Sequence, residues 1–396
     1  MLSHRQLFLN HLAQTSENPL MLEIERAEGI YLYSPDGKKY MDLISGISVS
    51  NLGHSHPAIV NAVKNQAEKF FHLMVYGEFV VHPQVAFAKL LCDHLPENLN
   101  TVYFTNSGAE AIEGAMKIAK RFTGRSEIVA FKNAYHGSTQ GALSIIGDES
   151  LKKNYRPLLP DILQLDFNDH DQLRLITNKS ACVIIEPVQA EAGVIVGEKY
   201  YLKALRKKCD ETKTLLVFDE SQTAFGRTGS LFSFQEYEVI PDILVLSKAL
   251  GAGLPLGAFI SSKEILGVIQ KNPVLGHITT FGGNALSCTA GLTAVQVLLD
   301  SDLISQVKKK EKLFRDHLQH KAIKNSRSAG LLISLQLQNE ETNMKVIHQC
   351  IENGLVVDWF LFAADCLRIA SPLTITEEEI KSACEIILGS LEKFTG

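Results

Sequence analysis

Two residues in this chain are placed to do chemistry, Lys248 and Asp219. Lys248 follows the stretch Asp242-Ile243-Leu244-Val245-Leu246-Ser247, in which Pro241-Asp242 opens an unbroken apolar run, and Ala249-Leu250-Gly251-Ala252-Gly253 comes after it. That pattern reads as a buried parallel strand running into a functional loop. In open α/β sheets ligands bind at the carboxyl ends of strands, where an amine between apolar walls can act as a nucleophile; an ordinary lysine capping a strand has the same pattern. Upstream, Thr214-Leu215-Leu216-Val217-Phe218 is a second short apolar strand, ending in Asp219-Glu220-Ser221-Gln222. The segment between Asp219 and Lys248 is long enough for one crossover to a parallel neighbour, so both residues would emerge on one edge of one sheet.

A carboxylate and an amine so placed suit pyridoxal 5'-phosphate. The amine can condense with its aldehyde, and the carboxylate keeps the ring nitrogen protonated, which makes the ring an electron sink. A structural ion pair with no cofactor would use the same two residues. F-D-E-S-Q-T-A-F-G-R-T-G at 218–229, followed by S-K-A-L-G-A-G-L-P-L-G at 247–257, resembles the class III aminotransferases of the acetylornithine, ornithine and 4-aminobutyrate type. These are pyridoxal phosphate enzymes of the aspartate aminotransferase fold (fold type I). The resemblance runs on through N-S-G-A-E-A at 106–111, Y-H-G at 135–137, E-P-V-Q-A-E-A-G-V at 186–194 and T-T-F-G-G-N at 279–284, and so covers nearly the whole chain.

The elements that must position these residues are legible. Thr101–Glu110 is a strand running into a helix, in which the apolar residues 111, 112, 115, 116 and 119 share one face. Ser107 as cap and Gly108 without a side chain would leave the helix amides open to a phosphate, and the resemblance places the phosphate cup at Gly108 and Ala109; a plain Ser-Gly cap is the competing reading. Glu127–Phe131, leading to Asn133, and Cys182–Gln189 are further strands ending in polar residues, and alternation of such strands with helices gives a parallel sheet covered on both faces. A hairpin is expected over 29–43 with its turn at Ser34-Pro35-Asp36-Gly37, and a helix from Pro57. Later expectations are a strand at 259–262, a helix over 285–299, a strand at 331–335, a helix near 341–353, the segment 367–370 and a closing helix from Thr376. The fold class is α/β: a large domain with a mostly parallel, seven-stranded-type sheet, plus a smaller α+β domain built from both chain ends. The expected boundaries are 1–50 for an amino-terminal part of the small domain, 51–284 for the cofactor-binding domain and 285–396 for the rest of the small domain.

By resemblance, Lys248 holds the cofactor and moves the proton between substrate and cofactor carbons, Asp219 holds the ring nitrogen's proton, and Gln222 lies beside the ring hydroxyl. Tyr135 takes the position that stacks on the ring, although a core aromatic would look the same in sequence. His136 and Glu186 belong to matched cofactor motifs, and Glu220 has a supporting role, either orienting the surroundings of Asp219 or solvating the loop. Thr280 takes the position that reaches the phosphate of a neighbouring subunit, which implies a homodimer with shared sites. Arg368 matches the family's arginine near the carboxyl terminus, suited to a carboxylate of the acceptor, and Glu191 the glutamate that pairs with it and releases it for a keto acid. Ser138 stands where ornithine and acetylornithine relatives carry an arginine that clamps the α-carboxylate. Ile47 stands where ornithine aminotransferases use a tyrosine, while Tyr76 retains another aromatic contact. The implied reaction passes an amino group from an acetylornithine-like or ω-amino donor to a 2-oxo acid such as 2-oxoglutarate. A 4-aminobutyrate or diamine aminotransferase, an aminomutase or epimerase on the same scaffold, and a non-catalytic relative are the alternatives.

Composition narrows the partners. With 39 Lys and Arg against 44 Asp and Glu, a net charge of −5 and no basic run, nucleic acid is not expected as a partner. Lys308-Lys309-Lys310 reads as a solvated helix face. Seven single cysteines without C-x-x-C spacing read as reduced, buried thiols, and His54 and His56, with no cysteine or carboxylate cluster, as packing and hydrogen-bonding residues rather than metal ligands. No apolar run approaches membrane-spanning length and the amino terminus has no signal pattern, so a cytoplasmic protein is expected.

Overall fold

The computed structural model describes residues 2–395. Its centre is a seven-stranded sheet in the spatial order Thr101–Thr105, Gly257–Ser261, Ile243–Leu246, Leu215–Asp219, Ser180–Ile185, Glu127–Phe131 and Ile162–Leu165. Only Gly257–Ser261 runs antiparallel to its neighbours. The strands carrying Asp219 and leading to Lys248 are adjacent and parallel, with Asp219 opposite Val245.

Their apolar runs are unbroken because both faces of the sheet are buried. Val183, Ile185, Leu216, Phe218, Leu244 and Leu246 pack into one core with Tyr201, Leu202 and Leu205 of the helix Lys199–Thr212. The intervening residues Cys182, Ile184, Val217, Ile243 and Val245 pack on the other face against Ala111, Ile112, Ala115 and Ala119 of the helix Gly108–Thr123. Gly114 brings that helix close to the sheet, since a Cβ there would lie 2.2 Å from the Phe259 ring.

Two four-stranded sheets flank this centre. The hairpin of Tyr31–Tyr33 and Lys39–Asp42 pairs in parallel, through Met41 and Asp42, with Leu355–Val356 from the other end of the chain. Asn325–Ser328, Ile333–Gln336, Ala363–Ile369 and Asp358–Phe360 form the second. The helices at Pro57–Ala67, Ala285–Leu299, Glu340–Glu352 and Glu377–Thr395 lie where periodicity places them.

Some expectations are corrected. The strand read at 331–335 begins at Ile333, because Leu331 and Leu332 turn back to bond Arg227 and Ala329 through their backbone. Lys310 is not on a solvated face: it is buried and donates to the Leu373 carbonyl at 2.6 Å, which its long stem reaches across apolar neighbours. Among the described residues, all seven cysteines are free, six of them buried, and no helix is long and apolar enough to cross a membrane. No group of residues suited to holding a metal is found among them.

Candidate active site

The parallel register delivers Asp219 and Lys248 to the same sheet edge. Lys248 sits just beyond its strand with φ +50°, a left-handed backbone that costs a non-glycine residue on the order of 1 kcal/mol. Burial pushes its amine below the ordinary lysine value, opposed by the negative charges of Asp219, Glu191 and Glu186. Asp219 is buried; burial alone would raise its carboxyl, but His136 and Ser221 outweigh it and hold the group below its usual range. The His136 ring lies 2.8 Å from Asp219 through Nδ1, and the Ser221 amide donates at 3.0 Å. His136 therefore stands behind the carboxylate and orients it.

The helix start at Gly108 is drawn against the same edge. Ser107 accepts from the Glu110 amide at 3.2 Å, which leaves the Gly108 and Ala109 amides at the positive end of a long helix. A Cβ on Gly108 would come within 3.2 Å of Ser221 Oγ and Ser247 Cβ. A side chain there would fill the cradle. Ser221 and Ser247 were not singled out from sequence, although each adjoins a motif residue.

Glu186 accepts the Tyr135 amide at 3.1 Å, and burial followed by the charge of Asp219 raises its carboxyl well above the ordinary value, favouring the neutral acid. Tyr135 OH lies 3.0 Å from Ser138 Oγ, so this tyrosine is held at both ends. Ser138 is exposed. Glu220 is fully buried and accepts the amides of Ser233 and Phe234 at 2.6 Å each, which rules out the loop-solvating alternative: it ties the 233–234 turn to the strand end.

At the other end of the site, Arg368 Nη1 meets Glu191 Oε1 at 2.7 Å, and Gln222 Nε2 donates to the same oxygen at 2.9 Å. Asp358, which sequence reasoning missed, takes two further Arg368 bonds. Residues 45–48 form a left-handed turn in which Ile47 has φ +65°, an outlier for a β-branched residue, anchored by Asp42 accepting the Ile44 and Ser45 amides. Ile47 and Tyr76 are partly buried, and Thr280 is exposed. The Asn106 side chain reaches Thr279 Oγ1 at 3.0 Å, which ties the loop before Thr280 to the start of the cradle. His54 bonds Asp42 at 2.8 Å, whereas His56 Nδ1 is buried without a partner among the described residues.

Comparison with known proteins agrees with this geometry. Residues 12–391 match the family model of class III aminotransferases. The chain is a class III aminotransferase. It is 35% identical over 381 residues to acetylornithine aminotransferase of Clostridium acetobutylicum, covering 93% of this chain and 96% of that one. It is 37% identical over 382 residues to the enzyme of that name from Methanocaldococcus jannaschii, covering 93% of each chain. Among solved structures, an ornithine aminotransferase from Toxoplasma gondii superposes with a TM-score of 0.91 at 28% identity, covering 98% of this chain and 93% of that chain.

The aminotransferase thus depends on pyridoxal phosphate, and its own residues fit that group. His136 Nε2 and Gln222 Oε1 are buried polar atoms with no partner among the described residues, on residues bonded to Asp219 and Glu191. With the Gly108 cradle and the half-buried amine of Lys248, they supply donors, an acceptor and a nucleophile within one site.

Proposed function

We propose that this aminotransferase takes its amino group from an acetylornithine-like or ω-amino donor and gives it to a 2-oxo acid such as 2-oxoglutarate. In this reading Lys248 binds the cofactor and is the base, Asp219 holds its ring nitrogen, and Gly108 and Ala109, beside Ser107, receive its phosphate. Tyr135 stacks on the ring, held by Glu186, and Gln222 reaches the ring hydroxyl. The cofactor supplies an aldehyde that takes up the amino group and a ring that withdraws electrons from the bond being broken. Lys248 Nζ, which burial biases toward the neutral amine, takes the proton from the donor carbon and returns it on the other side of the exchange. Asp219 stays ionised to hold the ring proton. The observation that carries the reading is the buried contact of Arg368 with Glu191 beside the Lys248 edge: the pair is closed for a donor that brings no carboxylate there, and Arg368 is released for an acceptor that does.

Ser138 bears on the donor. No guanidinium stands at that position, and the serine hydroxyl is engaged with Tyr135. This favours 4-aminobutyrate or a diamine as a second reading, against the acetylornithine aminotransferases that the chain resembles.

A homodimer with Thr280 reaching the partner's phosphate is part of the proposal. It is supported by exposed apolar residues on two contacting segments, Phe71 (65% exposed) and Val80 (90%) on one and Ile278 and Phe281 on the other, where His72 lies 4.8 Å from Phe281 ring to ring. The proposal keeps the domain division at 50 and 284, supported by a central sheet confined to 101–261. A cytoplasmic location is supported by the seven free thiols.

The test is a half-reaction screen. Holoenzyme without keto acid is mixed with acetylornithine, ornithine, 4-aminobutyrate, lysine, putrescine or glutamate, and the cofactor's absorbance is followed. Fastest bleaching by acetylornithine or ornithine supports the first donor class, and by 4-aminobutyrate or putrescine the second. Bleaching by glutamate alone among the six would sink both.

A further inference from the structure

Arg368 is held by two carboxylates. Besides Glu191, Asp358 takes Nε through Oδ1 at 2.7 Å and Nη2 through Oδ2 at 2.8 Å, a bidentate grip in which all four side-chain atoms are spoken for. The two residues are direct cross-strand partners, Asp358 on Asp358–Phe360 and Arg368 on Ala363–Ile369, and the Phe360 ring lies 5.1 Å from the guanidinium carbon. Both side chains are almost wholly buried. Glu191 makes one bond to Arg368 and shares its other bonds between Gln222 Nε2 and the Leu361 amide at 3.0 Å.

The contrast is between a fork and a single bond. A buried arginine released by its only carboxylate would be left with unpaired donors, at the cost of a desolvated charge. With Asp358 in place, loss of Glu191 leaves Nε and one Nη2 proton bonded, and the outer Nη1 edge free. We propose that Asp358 is a positioning residue, which keeps Arg368 fixed while Glu191 alone moves, so that the guanidinium edge is preset for the acceptor's carboxylate. The inference rests on the reading that Arg368 receives that carboxylate. It adds that specificity at this end depends on a residue that touches no substrate. The hydrogen bonds are charge-assisted and parallel, the arrangement that orients a guanidinium best. Burial raises the Asp358 carboxyl, against the pull of Arg368, while Asp358 and Glu191 together outweigh burial and raise the guanidinium; the paired, ionised form of both is the one the bond geometry fits.

The experiment uses holoenzyme and glutarate, a dicarboxylate that cannot accept an amino group. In Asp358→Ala the dissociation constant for glutarate, by calorimetry, should rise about tenfold or more, as expected when a charged bidentate contact loses its preset geometry. The KM for 2-oxoglutarate should rise in parallel, with a smaller change in kcat; a merely structural role would lower the melting temperature without that split. Asp358→Asn, which can keep the Nε bond, should show a smaller shift in the same direction. Unchanged or tighter glutarate binding in Asp358→Ala overturns the proposal, the second because it would mark Asp358 as a repelling charge. Glu191→Gln separates the two levels: if it alters glutarate binding while Asp358→Ala does not, only this inference fails, and if neither does, Arg368 is not the carboxylate site. Should both Asp358 variants fail to fold, a crystal structure of wild-type holoenzyme with glutarate decides. The bonds from Arg368 to Asp358 should be kept and that to Glu191 broken; a guanidinium that leaves Asp358 overturns the idea.

Discussion

The two ends of the proposed site, one for the cofactor and one for the substrate, are built differently. At the cofactor end, Asp219, Lys248 and the Gly108 cradle stand on or just beyond strands of a single sheet, each within a few residues of a recognisable apolar run. At the substrate end, Ile47 comes from a strained turn, Ser138 from a loop, Glu191 from the loop after a two-residue strand, and Arg368 and Asp358 from a peripheral sheet. The first end takes its geometry mainly from pairing within one sheet, and the second from a cross-strand pair, Asp358 and Arg368, joined to Glu191 by a side-chain bond from a distant segment. A shared cofactor can therefore be held in one way while donor choice changes by a few substitutions.

This comparison can be broken most directly at Lys248. Lys248→Ala should reduce turnover at least about 10³-fold, the scale of a lost general base, while the fold survives; near-normal turnover would remove the cofactor end from the chemistry. Asp219→Asn should weaken cofactor binding by roughly 10- to 100-fold, measured by titrating apoenzyme, since a charge-assisted bond to the ring nitrogen is lost. At the substrate end, Ser138→Arg should lower the KM for a carboxylate-bearing donor such as acetylornithine by about tenfold, while cofactor affinity falls by no more than the loss of the one neutral bond to Tyr135 allows, about tenfold at most. If the gain appeared equally with putrescine, the position would not face a carboxylate.

The smallest effect concerns Glu220, whose carboxyl burial pushes up to about 8. A raised acid stabilises the fold fully below its unfolded value of 4.5, and that contribution is lost as pH climbs toward about 8. Denaturation of wild type and Glu220→Gln at several pH values should show wild type losing ground to the variant across that window, by at most about 1.4 kcal/mol per pH unit. A difference independent of pH would contradict the raised value.

What was legible in sequence follows from periodicity. The strands around 182–185, 215–219 and 243–246 are apolar on both faces because helices cover both, so unbroken runs identify them without tertiary knowledge. Helix 108–123 is announced by its Ser107 cap and a single apolar face, and Glu191 and Arg368 stand within matched motifs that imply their pairing. Glu220 stayed open between two roles and Lys310 was misjudged because charge in a sequence argues for solvent, and only packing reveals that amides or a carbonyl wait inside.

Local apolar runs and short motifs are enough to encode the family, the cofactor and the chain of strands that carries Lys248 and Asp219. Only the tertiary structure decided that His136 backs Asp219, that Ser138 is bonded to Tyr135, and that Asp358 grips Arg368. Asp358 lies ten residues from Arg368 across a bulged hairpin, and cross-strand register is set by backbone pairing and turn geometry, which no residue spacing alone specifies.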